Sequence, residues 1–173
     1  MGRRNGPGSC STRLMREPRA QAPRMPSGYG VPKDGSGGEV LPWSWAVEQL
    51  TAARNYWICT TRRDGSPHAA PVWGIWFDDA VWFGTSPESM KGRNLARDPR
   101  VVVHLESGDD TVILEGEVEL ARDADALKQY ADAYEQKYSH RPSEAGAYVL
   151  RPRVAQTWTE KDFPRNATRW VFS

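Results

Sequence analysis

Short β-forming segments joined by tight turns run through most of this chain, and they constrain its fold more than any other feature. The first pair, residues 56–61 and 67–77, flanks an Asp-Gly turn of the kind that closes a β-hairpin. Later segments of the same type are residues 80–83, 101–105, 111–120, 147–151, 154–159 and 168–172. Because they follow one another with few helices between them, we expect six or seven strands in one antiparallel barrel. The fold class is therefore mainly β.

Three stretches interrupt the strands with helical patterns. Apolar residues at three-four spacing predict helices within residues 42–53 and 123–138, the second capped by Asp123. A third helix is expected to start with Ser86 as its N-cap and Pro87 at its first position, and to end before Pro99.

Two kinds of residue mark irregular places in the predicted strands. Pro67 and Pro71 cannot donate to a strand ladder, so they predict an edge strand or a bulge. Gly116 interrupts a regular alternation of apolar and polar residues in segment 111–120, so it predicts a bulge or a close backbone approach.

Composition divides the chain at about residue 40. Residues 1–40 hold eight glycines, five prolines and seven Lys/Arg against three acids, with almost no large apolar side chains. Such a segment buries too little surface to offset its ordering entropy, so we expect a disordered tail followed by one folded domain, residues 41–173.

Charge, hydropathy and cysteine content exclude several classes of function. A net charge of +1 does not favour nucleic acid, and no apolar run is long enough for a membrane span or a signal-peptide core. Cys10 and Cys59 offer neither a disulfide framework nor zinc spacing, so we expect no metal site and a reducing cytoplasm.

The clearest candidate for ligand chemistry is the turn and helix start at residues 85–91. A helix N-terminus presents unpaired N–H groups and a partial positive charge. Hydroxyls at Thr85, Ser86 and Ser89, with the ammonium of Lys91, make a plausible phosphate seat. An ordinary capped helix with a charged outer face explains the same pattern, and the residues alone leave both interpretations open.

No pairing of a nucleophile with a base emerges, and we assign no catalytic residue. His68 is the best candidate for a polar contact with a ligand, whereas His104 alternates within a strand and fits a structural role. Cys59 is expected to be a small core residue. A redox protein needs no acid or base of its own when the cofactor performs the chemistry.

Three segments in fixed order resemble the pyridoxamine 5′-phosphate oxidase-like superfamily. They are CTTRRDGSPHAAPVW, VWFGTSPESMKGRNLARDPRVVVHLESGDD and TWTEKDFPRNATRWVF, within residues 44–173. The Arg-Asn-Leu after Lys91 and the sequence near the C-terminus are most similar to the actinobacterial flavin/deazaflavin oxidoreductases. The resemblance implies a split β-barrel of the FMN-binding type, a homodimer and a cofactor groove built from both subunits.

Carried over residue by residue, the resemblance implies a cofactor site in four parts. Thr60 and Thr61 would border the groove, and Pro71, Val72 and Trp73 would face the cofactor ring. The phosphate end would be held by Thr85, Ser86, Ser89, Met90, Lys91 and Asn94. Trp158, Arg169 and Trp170 of the partner subunit would close the site. Met90-Lys91 stands where pyridoxamine phosphate oxidases usually carry Arg-Lys, which argues against vitamin B6 oxidation.

From this resemblance we expect an oxidoreductase that binds coenzyme F-420, a deazaflavin, and transfers hydride to a small or planar organic acceptor. Arginines 62, 63, 93 and 97 could meet the acidic polyglutamate tail that FMN lacks. One alternative is an FMN-dependent oxidase or reductase, and another is a non-catalytic protein that binds flavin, haem or a tetrapyrrole.

Overall fold

The computed structural model describes residues 17–29, 40–143 and 146–173. Its strands are β1 (Arg19–Gln21), β2 (Asn55–Thr61), β3 (Pro67–Phe77), β4 (Ala80–Gly84), β5 (Arg100–His104), β6 (Asp110–Leu120), β7 (Ala147–Thr159) and β8 (Thr168–Val171). Its α-helices are α1 (Trp43–Ala52), α2 (Met90–Arg97) and α3 (Ala124–Tyr138).

The strands form one antiparallel sheet in the order β1-β8-β7-β4-β3-β2-β5-β6, and β6 also pairs with β7. This second pairing closes six strands into a barrel, to which β8 and β1 are added beside β7. The prediction of a mainly β antiparallel barrel with a few short helices is therefore confirmed.

The C-terminal part of the barrel differs from the sequence prediction, because two strands that were predicted separately form one continuous strand. Residues 147–151 and 154–159 form the continuous strand β7. Pro152 is accommodated because the register with β6 shifts between Glu115 and Gly116, which confirms the predicted bulge. A Cβ on Gly116 would lie 2.8 Å from Leu150 Cδ1 and 3.0 Å from the Arg151 carbonyl oxygen, so the backbone of β7 approaches closely at this position.

Part of the segment expected to be disordered belongs to the sheet. Arg19–Gln21 form β1 and pair with β8, and Arg169 donates a 2.7 Å hydrogen bond to Gln21 Oε1. The expectation is wrong for these three residues, because backbone pairing to an edge strand orders them without a large apolar side chain. Residues 1–16 and 30–39 lie outside the described residues, and the domain boundary at residue 41 stays a prediction.

The barrel interior holds the main hydrophobic core. Its largest fully buried side chains include Tyr56, Phe83, Leu50, Ile58, Leu114 and Leu150. α1 contributes Trp43 and Leu50 to this core, and the Tyr56 hydroxyl donates to the Leu50 carbonyl. Trp170 packs against Trp43 with ring centroids 5.6 Å apart.

A second, smaller core lies between α3 and the barrel. Tyr130 and Tyr134 of α3 are buried with Ile75 and Trp82 of the adjacent strands. The Tyr130 and Trp82 rings stack at 5.5 Å. Because these aromatic contacts recur at three-four spacing, one face of α3 is fixed against β3 and β4.

Lys137 is half-buried where α3 meets β3. Its ammonium lies 5.3 Å from the centre of the Tyr56 ring and 5.4 Å from that of Tyr138, and it donates to the Gly74 carbonyl at 3.3 Å. The rings and the carbonyl stabilise the cation, but burial outweighs them and lowers the pKa of Lys137 from its usual 10.5 to about 8.

Replacing this buried cation should change how stability depends on pH. Between about pH 8 and 9.5 the unfolded chain keeps the Lys137 proton while the folded protein loses it, so the free energy of unfolding should rise with pH. Lys137→Met should abolish that rise and, because solvent screens a half-exposed charge, raise the free energy of unfolding at pH 7 by about 1 kcal/mol. Urea denaturation at several pH values measures both effects.

The exposed Lys128 on the same helix provides the matched control. It pairs with Asp132 at the surface, so Lys128→Met should change the free energy of unfolding by less than about 0.5 kcal/mol at every pH. An unchanged pH slope in Lys137→Met would contradict the assigned burial of the cation.

Candidate functional site

The turn between β2 and β3 places two arginines at one end of the barrel. Gly65 takes a φ of +85°, and Asp64 Oδ1 accepts from both the amide and the hydroxyl of Ser66, as expected for the predicted hairpin turn. Arg62 donates to the Pro67 carbonyl at 2.5 Å, which holds its guanidinium beside β3.

The helix at the predicted phosphate seat begins later than the sequence indicated. α2 starts at Met90, and Ser89 is its N-cap, accepting from the Gly92 amide at 2.9 Å. Ser86 belongs to the preceding turn, where its carbonyl accepts from the Ser89 amide. The prediction of Ser86 as the cap is wrong because the hydroxyl of Ser89, held 2.9 Å from that of Thr85, satisfies the helix end instead.

Gly92 allows this turn to fold back onto α2. A Cβ at that position would lie 2.3 Å from the Ser86 carbonyl oxygen and 2.7 Å from Pro87 Cα. Both neighbours are backbone and cannot rotate away, so the position has room only for glycine. The spacing between the hydroxyl-bearing turn and the helix depends on this contact.

A buried hydrogen bond ties α2 to the barrel. Asn94 Nδ2 donates to Thr60 Oγ1 at 3.0 Å, and each residue is only 4% exposed. Thr60 Oγ1 also lies 3.3 Å from His68 Nδ1 on β3. Thr60 and Asn94 therefore hold α2 against the barrel from inside.

His68 lies where β3 approaches α2. Burial, and then the charges of Arg62 and Lys91, lower the pKa of its imidazole. The lowered pKa favours the neutral imidazole, which keeps one nitrogen as a hydrogen-bond acceptor. This placement beside the seat agrees with its selection as the histidine best placed for a polar contact.

A cavity of about 600 Å³ separates the hairpin turn from α2. It is lined by Arg62, Arg63, Asp64, Met90, Arg93, Asn94 and Arg97. Four of these side chains are cationic and one is anionic, and none of the four arginines forms an ion pair with any other described residue. This groove, called here the arginine groove, is suited to an extended anion.

Next to the groove, half of β3 is an open strand edge. Its residues 67–73 pair with β2, whereas β4 pairs only with residues 74–77. Pro67 and Pro71 sit in this half, which confirms the predicted edge. Since proline nitrogens must face away from the β2 ladder and alternate residues point the same way, the N–H groups of Ala69 and Trp73 face the open side.

The predicted ring-facing residues divide between the two sides of β3. Pro71 and Trp73 are exposed, and 40% of the Trp73 surface is accessible. Val72 packs against the core instead. Thr61 is exposed, and its carbonyl accepts from Arg97.

The residues expected to act across a subunit interface lie on β7 and β8, away from α2 in the sheet. Trp158 is half-buried against Phe163 at 5.8 Å, and Arg169 bonds to β1. Trp170 is 4% exposed, and its indole donates to Thr157 Oγ1 at 2.9 Å. The alternation of β8 turns Trp170 into the core of its own subunit, and its role in the groove stays a prediction.

The structure thus brings the phosphate-end residues together but separates them from the cross-subunit set. Sequence reasoning missed Arg54 and Tyr138, which flank Trp73, and it missed the need for glycine at 92. The three-four spacing of tyrosines in α3 is a signal for Tyr138, whereas nothing in the sequence points to Arg54. Among the described residues, no group of three His, Cys, Asp or Glu could hold a metal, and no helix could cross a membrane.

The fold and site define an antiparallel β-barrel with an open strand edge and an adjacent arginine groove, and comparison with known proteins specifies the family. The model of the pyridoxamine 5′-phosphate oxidase family matches residues 46–159. The chain belongs to this family, which binds flavins and includes oxidoreductases. No curated protein matches the sequence.

Solved structures share the fold at low identity. A conserved hypothetical protein from Mycobacterium tuberculosis has a TM-score of 0.63 and 24% identity, over 71% of this chain and 88% of the other. A structure named F420 reductase has a TM-score of 0.51 and 21% identity, over 62% and 93%. A haem-binding protein from Mycobacterium smegmatis has a TM-score of 0.58 and 22% identity, over 77% and 60%. At these identities the likeness concerns the fold alone.

Substituting Gly92 should disrupt the seat while leaving the barrel folded. In Gly92→Ala the new methyl group would meet the backbone of residues 86–87, so the turn must move and the free energy of unfolding should fall by about 1–3 kcal/mol. Gly108→Ala is the matched control, because a Cβ there has nothing within 4 Å. Denaturant titration compares the two variants, and equal stabilities would contradict the tight approach of turn and helix.

Proposed function

We propose that this chain is a cytoplasmic, homodimeric oxidoreductase that binds coenzyme F-420 and transfers hydride to a small or planar organic acceptor. The observation that carries this proposal is the arginine groove at the start of α2, in a member of a flavin-binding family. A neutral ring would give the four arginines no negative charge to bind. An extended anion attached to a flavin-like ring would supply that charge.

The phosphate end of such a cofactor fits the start of α2. A helix leaves its first N–H groups without intrahelical partners, and the cap Ser89 satisfies only the Gly92 amide. The amides of Met90 and Lys91 are then available to an anion, together with the Lys91 ammonium. Ser86 and Thr85 add hydroxyls on the facing turn.

The groove beyond the seat fits the feature that separates coenzyme F-420 from FMN. A polyglutamate tail carries several carboxylates, and guanidinium groups bind carboxylates through charge-assisted hydrogen bonds. Arg63 is exposed and makes no side-chain hydrogen bond to another described residue, so it is free for such a contact. Arg93 donates a hydrogen bond to the Glu88 carbonyl and Arg97 donates one to the Thr61 carbonyl, so each keeps further N–H groups for a ligand.

The ring end would lie along the open edge of β3. The N–H groups of Ala69 and Trp73 can donate to a polar ring edge, and the exposed Pro71 supplies an apolar contact. When bound, the deazaflavin supplies the hydride. The residues of this chain bind and orient it, and His68, whose lowered pKa favours the neutral imidazole, adds a polar group beside the seat.

A second copy of the chain is proposed to cover the outer face of the sheet. That face carries Trp57 stacked on His104 at 6.1 Å, with Val102 in the neighbouring row, 36% exposed. Exposed apolar rows across adjacent strands are typical of subunit interfaces. Trp158 and Arg169 point from the same face, so a partner could bring them to the groove.

Paired variants separate coenzyme F-420 from FMN. Lys91→Ala should weaken binding of both by about ten- to a hundred-fold, because both present a phosphate to a charge-assisted bond of about 1.5–3 kcal/mol. Arg63→Gln should weaken only coenzyme F-420, by about three- to ten-fold, as expected for exposed ion pairs with a flexible tail. Fluorescence titration with each cofactor measures the affinities.

Arg122→Gln, an exposed arginine outside the groove, serves as the control and should leave both affinities within about two-fold. Tight binding of FMN combined with no binding of coenzyme F-420 would overturn the choice of cofactor. If Lys91→Ala leaves the affinities for both cofactors unchanged, the phosphate binds elsewhere. Titration with haem tests the non-catalytic alternative.

Sedimentation tests the dimer. The wild-type chain should sediment at roughly twice its 19.5 kDa mass. Val102→Asp would place a charge in the proposed interface and should shift the equilibrium towards monomer, because a desolvated unpaired carboxylate is costly. Leu120→Asp alters an aliphatic side chain that is 45% exposed elsewhere and should leave the mass unchanged. A wild-type monomer at micromolar concentration would contradict the shared-groove arrangement.

A further inference from the structure

An exposed aromatic pair with a cation beside it lies at the far end of the open edge. The rings of Trp73 and Tyr138 are parallel within 4°, with centroids 4.9 Å apart. The Arg54 guanidinium carbon lies 5.3 Å from the Trp73 centroid and 5.9 Å from that of Tyr138. We call these three residues the Trp73 platform.

Hydrogen bonds at the back of the platform fix its geometry. The Tyr138 hydroxyl lies 2.6 Å from the carbonyl oxygens of Arg54 and Gly74, to either of which it can donate, and it accepts from the Gly74 amide at 3.1 Å. The Tyr138 hydroxyl thereby joins α3 to β3 and to Arg54, the residue that precedes β2. Lys137, 5.4 Å from the Tyr138 ring, adds a second cation behind the platform.

The Trp73 ring is partly open to solvent. Tyr138 stacks on one side of it, and the Arg54 guanidinium lies over both rings. Trp73 is 40% exposed. Neither Arg54 nor Lys137 forms an ion pair with any other described residue.

We propose that the Trp73 platform binds a planar aromatic anion and that this is the chemical class of the acceptor. A flat ring can stack on the exposed part of Trp73, while its carboxylate meets the Arg54 guanidinium. Trp73 is five residues along β3 from His68, or about 16 Å at strand spacing, so the platform lies beyond the seat at the ring end. Its role towards an acceptor rests on the proposed oxidoreductase function, whereas its binding of the anion does not.

Two small ligands of equal shape test the charge requirement. With the full chain free of cofactor, 2-naphthoate should quench tryptophan fluorescence and bind about ten-fold more tightly than neutral 2-naphthamide. Arg54→Gln should remove most of that difference by weakening naphthoate binding alone. Arg122→Gln should preserve it, because Arg122 is an exposed arginine outside the platform.

Two tryptophan variants test the stacking requirement, with calorimetry as the readout since the fluorophore is altered. Trp73→Leu should weaken both ligands by about ten-fold, whereas Trp57→Leu, which removes a tryptophan stacked on His104, should not. Trp73→Phe keeps a ring and should retain most of the affinity, which guards against a folding defect in Trp73→Leu. Equal binding of the two ligands, or equal losses in Trp73→Leu and Trp57→Leu, would overturn the proposal.

The same ligands distinguish the platform from the cofactor site. In a chain saturated with coenzyme F-420, 2-naphthoate should bind without displacing the coenzyme. Competitive displacement would make the platform part of the coenzyme site and overturn the acceptor assignment. A different result is that the protein binds 2-naphthoate more tightly than 2-naphthamide and fails to bind coenzyme F-420. That result would support the Trp73 platform and reject the proposed function.

Discussion

Closure of the barrel by β7 is the constraint on which the rest of this structure depends. β7 pairs with β4 along its first half, with β6 along its whole length and with β8 along its second half. A strand of 13 residues can change partners in this way only if it bends, and the register shift opposite Glu115 and Gly116, where Arg153 is the extra residue of β7, provides the bend. Because the sheet then closes on itself, only selected edges stay open, and the N-terminal half of β3 is one of them.

The candidate site depends on a second constraint, the docking of α2 at that open edge. The helix is short and highly charged, so its own sequence gives it little stability outside this context. Its position is fixed by the buried bond between Asn94 and Thr60 and by the backbone contact at Gly92. The Ser89 hydroxyl is used in capping, which leaves main-chain amides, Lys91, the hydroxyls of Thr85 and Ser86 and the arginine groove to meet a ligand. Pre-organised donors of this kind bind anions at little cost in ordering.

Most of the barrel could be predicted from the sequence because each strand carries its own local signals. The Asp-Gly turn, the alternation in β6 and the capping residue of α3 all specify their elements without reference to distant residues. What could not be predicted depends on contacts remote in sequence. β1 exists because β8 offers an edge, β7 is continuous because it bulges at Arg153, next to Pro152, and the α2 cap is Ser89 because Thr85 and Gly92 meet it. The inward direction of Trp170 follows from its pairing with Ala155, which local propensity does not encode.

The open edge of β3 also bears on how this protein avoids self-association. A strand with unpaired N–H and C=O groups is a template for pairing with another chain, and such edges drive aggregation in many β proteins. Pro67 and Pro71 remove two of the donors that a foreign strand would need, while Ala69 and Trp73 keep theirs. A ligand can use two isolated donors, whereas a growing β-ladder requires a continuous row. The two prolines therefore let the edge remain exposed to a small molecule while making it a poor nucleus for intermolecular sheet growth.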